Sequence, residues 1–213
     1  MSWDHLPDNY VVKMALADLQ AQCQRSDRGA HNRFAGEYFE KLIEASLMLY
    51  KGRGMAEIEK TPEPMKPLGK PNHKGQFLAC YTKSAQPDFK GTLEGGRSVV
   101  FEAKHTDGDR IEYNRLTKEQ IERMESHFKL GAFCFVMVSF NLEHFCRIPW
   151  AVWRDMKALY GRKYITFEEC GQYKVPNRSG MIMLFEGICR GGHCAEKLPD
   201  TYDGEKKGEF SNV

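Results

Sequence analysis

Two carboxylates and a lysine stand at a spacing that suits chemistry on a phosphodiester. Pro87-Asp88 precedes Glu102-Ala103-Lys104 by fourteen residues. In an extended strand, residues two apart point the same way, so Glu102 and Lys104 share one face while Phe101 and Ala103 take the other. Asp88, at the end of the neighbouring hairpin segment, is placed to approach Glu102. Two carboxylates together with water and phosphate oxygens suit a hard, octahedral Mg²⁺ ion. Such an ion would polarise a phosphate and acidify a water, with the Ala103 carbonyl as a further candidate ligand, while Lys104 orients that water or neutralises developing charge. The plainer alternative is a solvated ion pair at a strand end. Acid-x-Lys triplets also occur at Asp88-x-Lys90, Asp155-x-Lys157 and Glu205-x-Lys207, and Pro-Asp recurs at Pro7-Asp8 and Pro199-Asp200. Only the Pro87 to Lys104 set joins a Pro-Asp in a turn to an acid-x-Lys that closes a β-rich run.

The surrounding pattern predicts the elements that hold these residues. Arg97 to Lys104 reads as a strand and so does Gln76 to Lys83, with a turn-rich stretch of Pro87, Gly91, Gly95 and Gly96 between them, which suggests a meander. Thr117-Lys118-Glu119-Gln120 is a capping box opening a helix whose stripe is Ile121, Met124 and Phe128, ended by Gly131. Ala132 to Phe140 is nearly all apolar, the pattern of a strand covered on both faces. A helix leading into a buried strand is a β-α-β signature. A shorter strand from His144 to Ile148 leads through Pro149 into a helix near Trp150 to Tyr160, with Val152, Trp153, Met156 and Tyr160 inward, and Thr166 to Glu169 forms a second capping box. Upstream, residues 10–24 predict a short amphipathic helix, Gln24 to Arg33 a polar break, and Asn32 to Tyr50 a helix with Ala35, Tyr38, Phe39, Leu42, Ile43, Ser46 and Leu49 on one face.

Composition narrows the function classes. The 213 residues, 41% hydrophobic, suffice for one sizeable core with appendages. No apolar run reaches the roughly 18–20 residues of a membrane span, and Asp4, His5, Pro7 and Asp8 stand where a signal peptide needs a basic then apolar stretch. Seven cysteines without framework spacing suit reduced thiols, so a cytoplasmic protein is expected. Cys170, Cys189, His193 and Cys194 lack the paired spacing of a zinc site, and Trp150 and Trp153 suit packing of a helix on a sheet better than stacking on bases.

The net charge of +2 names no partner, but its distribution does. Pro62, Pro64, Pro67 and Pro71 make residues 60–74 a loop, arm or protrusion. Lys60, Lys66, Lys70, Lys74, Lys83 and Lys90 face only two acids, Glu63 and Asp88, over this stretch, a local charge of +4 that leaves −2 for the remainder. Lysines spaced along an exposed arm suit phosphate contact, against an ordinary solvated loop as the alternative. Arg25, Arg28 and Arg33 form a second candidate patch.

The Pro87-Asp88 and Glu102-Ala103-Lys104 pair resembles the PD-(D/E)xK nuclease signature, and the wider text resembles the RecU-type Holliday junction resolvases. Gly36-Glu37-Tyr38-Phe39-Glu40, Asp88-Phe89-Lys90-Gly91, Phe101-Glu102-Ala103-Lys104 and Gln120-Ile121-Glu122-Arg123-Met124 leading to Gly131 through Val136 carry the match in order. It covers about Arg28 to Ile188. The resemblance implies an α/β, restriction-endonuclease-like core with a mixed central sheet flanked by helices and a protruding basic arm. It implies Asp88 and Glu102 as metal ligands, Lys104 as the catalytic lysine, Glu40 as an acidic helper with Glu37 its competitor, and Gln120 as a polar group at the site. For Glu40 the alternative is a solvated helix charge, and for Gln120 a purely structural cap. The family has a Ser/Thr-rich run before the aspartate, where this chain has Ser84-Ala85-Gln86-Pro87.

The expected function is thus a Mg²⁺-dependent endonuclease, with Mn²⁺ as substitute, that resolves four-way DNA junctions as a homodimer and leaves 5′-phosphate and 3′-hydroxyl ends. The family's arm enters the junction centre. The expected organisation is an N-terminal helical extension at 1–27, a nuclease domain at 28–190 with its arm at 60–83, and a flexible polar tail at 191–213. No membrane or small-molecule cofactor is expected. The rivals are another nuclease of this superfamily cutting linear duplex or flap DNA, and a non-catalytic DNA-binding recombination module.

Overall fold

The computed structural model describes residues 8–62, 64–81, 86–190 and 193–194, and within its first helix the side chains from residue 29 on. That helix, α1 (Asp8–Gly52), is a single element, where the sequence predicts two helices parted at residues 24–33. The polar run holds no proline and one glycine, Gly29, at a cost of about 1 kcal/mol, so polarity alone does not stop the helix. The expected boundary at residues 27/28 falls inside it. Burial begins at Ala35 and recurs at Phe39, Ile43, Leu47 and Tyr50, three or four residues apart. Tyr38, expected on that face, is exposed.

After α1 come β1 (Ala56–Lys60), β2 (Met65–Pro67), β3 (Ala79–Tyr81), β4 (Phe89–Leu93), β5 (Ser98–Thr106), β6 (Arg110–Glu112), α2 (Lys118–Lys129) and β7 (Phe133–Phe140). Then come β8 (His144–Pro149), α3 (Trp150–Arg154), α4 (Met156–Tyr160), β9 (Tyr164–Thr166), α5 (Phe167–Cys170) and β10 (Lys174–Val175). The main sheet has the order β1-β4-β5-β7-β8-β10. Only β5 and β7 pair in parallel; the other four pairings are antiparallel. This is the mixed central sheet of an α/β fold, and β5-α2-β7 is the anticipated crossover unit.

The partner of β5 differs from expectation. It is β4, which lies inside the stretch that reads as turn, while the described residues of the 76–83 segment contribute β3, which pairs outside the sheet with β2. Glycine explains the misreading. A Cβ on Gly91 would stand 2.0 Å from the Glu57 carbonyl oxygen and 2.5 Å from the Ile58 Cα, so glycine in β4 is what lets the edge strand β1 close on it. Gly91→Ala is expected to force β1 outward and to destabilise the fold by about 1–3 kcal/mol, measured by urea unfolding; an unchanged midpoint would contradict this close approach.

Two cores flank the sheet. On the α1 side, Phe89, Phe101 and Phe135 stack across β4, β5 and β7 with centroids 4.8 and 4.5 Å apart, and Phe39 of α1 packs against Phe145. On the other side, Met124 of α2, Trp150, Trp153 and Met156 cover Val100, Cys134, Val136 and Val138. Trp150 and Trp153 are fully buried, as packing residues. Both capping boxes form, at Thr117 with Gln120 and at Thr166 with Glu169. Among the described residues no helix is long and apolar enough to cross a membrane.

Candidate active site

Alternation along β5 sends Val99, Phe101 and Ala103 into the α1-side core and turns Val100, Glu102 and Lys104 toward α2. Extending the β4–β5 register by one residue sets Asp88 opposite Glu102, and directly opposed residues share a face. Side-chain bonds draw the group together. Asp88 Oδ2 accepts from the Ala103 backbone N–H at 2.9 Å and from Lys104 Nζ at 3.3 Å. Lys104 Nζ also donates to Glu102 Oε2 at 2.9 Å. From α2, Gln120 Nε2 donates to the same Glu102 oxygen at 2.6 Å. Gln120 Oε1 meanwhile accepts from the Thr117 backbone N–H at 3.0 Å. The cap and the site contact are one side chain's two ends, so the two readings of Gln120 are not alternatives.

Burial sets the electrostatics. Glu102 is fully buried and Lys104 nearly so. Burial drives the Glu102 carboxyl up to about 8; the Lys104 charge opposes this and the neighbouring Asp88 charge adds to it. For Lys104, burial favours the neutral amine, but the Glu102 and Asp88 carboxylates outweigh it and raise its pKa. Glu102 Oε1 is buried without a hydrogen-bond partner. An unsatisfied carboxylate oxygen beside a second carboxylate fits a hard divalent cation, which binds oxygen and restores the lost interaction. Among the described residues no three His, Cys, Asp or Glu side chains cluster as a metal-binding group. The carboxylate pair would therefore be completed by neutral oxygens and water.

The family model described as RecU: Recombination protein U matches residues 34–185. The chain belongs to the RecU family. A Streptococcus sanguinis protein named Holliday junction resolvase RecU is 31% identical over 111 residues, 50% of this chain and 55% of that one. A Streptococcus pneumoniae protein of the same name is 27% identical over 137 residues, 62% of this chain and 68% of that one. The chain thus spans little more than half the length of the first relative and about two thirds of the second. A solved structure of Archaeoglobus fulgidus Hjc, a Holliday junction resolvase, is 12% identical at a TM-score of 0.35, over 52% of this chain and 76% of that one.

The other described residues that the RecU resemblance or the charge pattern singled out lie outside the Asp88–Glu102–Lys104 hydrogen-bond cluster. Glu40 lies on the α1 side of the sheet and its ion-pair partner is Lys60, at 2.7 Å, rather than the Asp88–Glu102 pair. Lys60 leaves the arm for the site's edge: the Glu40 contact raises its pKa most, and Asp88 contributes. Glu37 is exposed. Lys66, Lys70 and Lys74 are exposed along the β2–β3 hairpin, as are Met65, Leu68, Phe77 and Leu78. The hairpin turn is fastened by Asn72, whose Oδ1 accepts from the backbone N–H groups of Lys74 and Gln76. Lys90 Nζ donates to Gln86 Oε1 at 3.1 Å, so the residue at the family's Ser/Thr-rich position is engaged with a lysine. Arg33 is exposed on α1; Lys83, the side chain of Arg28 and the 195–213 tail lie outside the described residues.

Sequence reasoning passed over a clamp directly after Lys104. His105 is buried, with Nε2 2.9 Å from Asp107 Oδ1 and Nδ1 3.3 Å from Ser139 Oγ of β7. Its carbonyl accepts from Arg115 at 2.9 Å, and His31 of α1 meets the other Asp107 oxygen at 3.2 Å. These contacts fix the backbone that carries Lys104. The sequence signal was a polar residue at an inward position of β5, visible only once the faces are assigned.

Proposed function

We propose that this chain is a Mg²⁺-dependent, structure-selective endonuclease that resolves four-way DNA junctions in recombination and repair. The carrying observation is the buried Glu102 carboxylate with one unpartnered oxygen, beside Asp88 and Lys104, in a member of the RecU family. Asp88, Glu102 and the Ala103 carbonyl would hold the cation, with Mn²⁺ a substitute. When bound, Mg²⁺ supplies Lewis-acid polarisation of the scissile phosphate and a more acidic water. Lys104, kept charged between two carboxylates, orients the attacking water or meets charge developing on the phosphate. Gln120 holds Glu102 in place from α2. Hydrolysis adds the water oxygen to phosphorus and breaks the P–O3′ bond, leaving a 5′-phosphate and a protonated 3′-hydroxyl.

A four-way junction has approximate twofold symmetry and needs two matched nicks, so a twofold homodimer with one site per subunit suits it. Light scattering is expected to give a dimer at micromolar concentration; a monomer both free and on DNA would contradict this. The exposed lysines of the β2–β3 hairpin suit phosphate contact. Replacing Lys66, Lys70 and Lys74 together with Ala should weaken junction binding and lower the slope of log K against log salt by about 3, each phosphate contact contributing about 0.9. An unchanged slope would remove the hairpin from the interface.

The deciding experiment is cleavage of synthetic four-way junction, flap and linear duplex with Mg²⁺, run beside Lys104→Ala. Linear duplex cut as readily as junction would favour a different nuclease specificity. Absence of Mg²⁺-dependent cutting on every substrate would favour a binding module.

A further inference from the structure

Thr61 is the residue that the β-ladder brings to Asp88 from the other side. Lys60 pairs with Phe89 at the end of the β1–β4 ladder, so one further step of that register sets Thr61 opposite Asp88. The Thr61 N–H donates to the Asp88 carbonyl at 2.8 Å and continues the ladder to this pair. Thr61, Asp88 and Glu102 therefore form one row across three strands on a common face. Lys60 and Phe89 alternate to the opposite face, as the Lys60–Glu40 pair and the burial of Phe89 in the α1-side core confirm. Thr61 Oγ1 is itself buried without a hydrogen-bond partner, like Glu102 Oε1 at the other end of the row. Two unsatisfied buried oxygens thus bracket one aspartate. Each costs the metal-free fold stability.

We infer that the Thr61 hydroxyl belongs to the oxygen shell of the divalent cation at Asp88 and Glu102, which rests on the metal-dependent reading above. Three features support it. Among the described residues the site offers two carboxylates and no third metal-binding His, Cys, Asp or Glu. Mg²⁺ takes six oxygens, so neutral donors must supply the balance. A hydroxyl buried beside Asp88 with nothing to bond is an oxygen of the right kind in the right row.

The test uses the full chain and Mn²⁺ alone, without DNA, by calorimetric titration, together with melting in EDTA. Thr61→Val is expected to bind Mn²⁺ at least about tenfold more weakly, while Thr61→Ser stays near the wild type. In EDTA, Thr61→Val should melt about 2–4 °C above the wild type, because a partnerless buried hydroxyl has been removed. Wild-type Mn²⁺ affinity in Thr61→Val overturns the inference. So does a lower melting temperature in EDTA, which would mean that the hydroxyl is partnered within the fold. Asp88→Asn separates the two levels. If it abolishes Mn²⁺ binding while Thr61→Val does not, the Thr61 assignment alone falls. If it binds as the wild type does, the carboxylate-pair reading falls and takes Thr61 with it.

Discussion

Lys104→Met is expected to lower the single-turnover cleavage rate on a four-way junction by about 10³-fold or more while junction affinity changes by less than about threefold. Methionine keeps most of the stem's length, so packing beside α2 survives and the charge alone is removed. The wild-type amine lies 2.9 Å from Glu102 Oε2 and 3.3 Å from Asp88 Oδ2, so it serves the two acids and whatever lies between them. It is only 15% exposed, too enclosed to be a general phosphate anchor on the DNA surface, which is why affinity should hardly respond. Lys104→Arg should fail to rescue, because a planar guanidinium cannot replace a point charge with three rotatable donors in a pocket this enclosed. Cleavage within tenfold of wild type in Lys104→Met would remove Lys104 from the reaction. Equal losses of cleavage and binding would make it a binding residue instead.

The parts of the site legible in the sequence are those fixed by local periodicity. Glu102 and Lys104 could be placed on one face because strand alternation needs no partner, and the Thr117–Gln120 box could be read because its bonds span three residues. What could not be read depends on pairing between distant segments. β4 carries Gly91 and follows Pro87, so it reads as turn, yet the close approach of Glu57 makes that glycine necessary. Without β4 placed, β1 has no register, and without β1 neither Lys60 nor Thr61 can be assigned a face. Glu40 shows the same dependence. Helical spacing puts it near the right end of α1, but only the sheet's two faces reveal that it meets Lys60 on the α1 side while Glu102 and Lys104 point toward α2. The α1 continuity has a different origin: a polar run without proline carries no stop signal, and polarity was a poor substitute for one.

Glu102→Gln should stabilise the metal-free protein, and by an amount that grows with pH. The Glu102 carboxyl is pushed up to about 8 by burial, against an ordinary value of 4.5. In the unfolded chain it loses its proton as pH rises past 4.5, whereas the folded protein keeps the proton until about 8. Between those values the unfolded state binds fewer protons, so folding stability falls with rising pH, by about 1.4 kcal/mol per unit, and levels off above 8. Lys104 does not add to this slope, since its raised pKa contributes stability that is lost only above the ordinary lysine range of 10.5. Glutamine at 102 has the same shape and nothing to titrate, so the variant should melt near the wild type at pH 4.5 and roughly 10 °C above it at pH 8 in EDTA. Added Mg²⁺ should raise the melting temperature of the wild type at pH 8 well above any shift in Glu102→Gln, because the variant leaves the cation one carboxylate, Asp88, in place of two. Cleavage by Glu102→Gln should be lost. Parallel melting curves for the two proteins from pH 4.5 to 8 would mean that Glu102 is ionised throughout without a metal. A variant more stable yet inactive would mean that the buried carboxylate is retained for its chemistry at the expense of the fold.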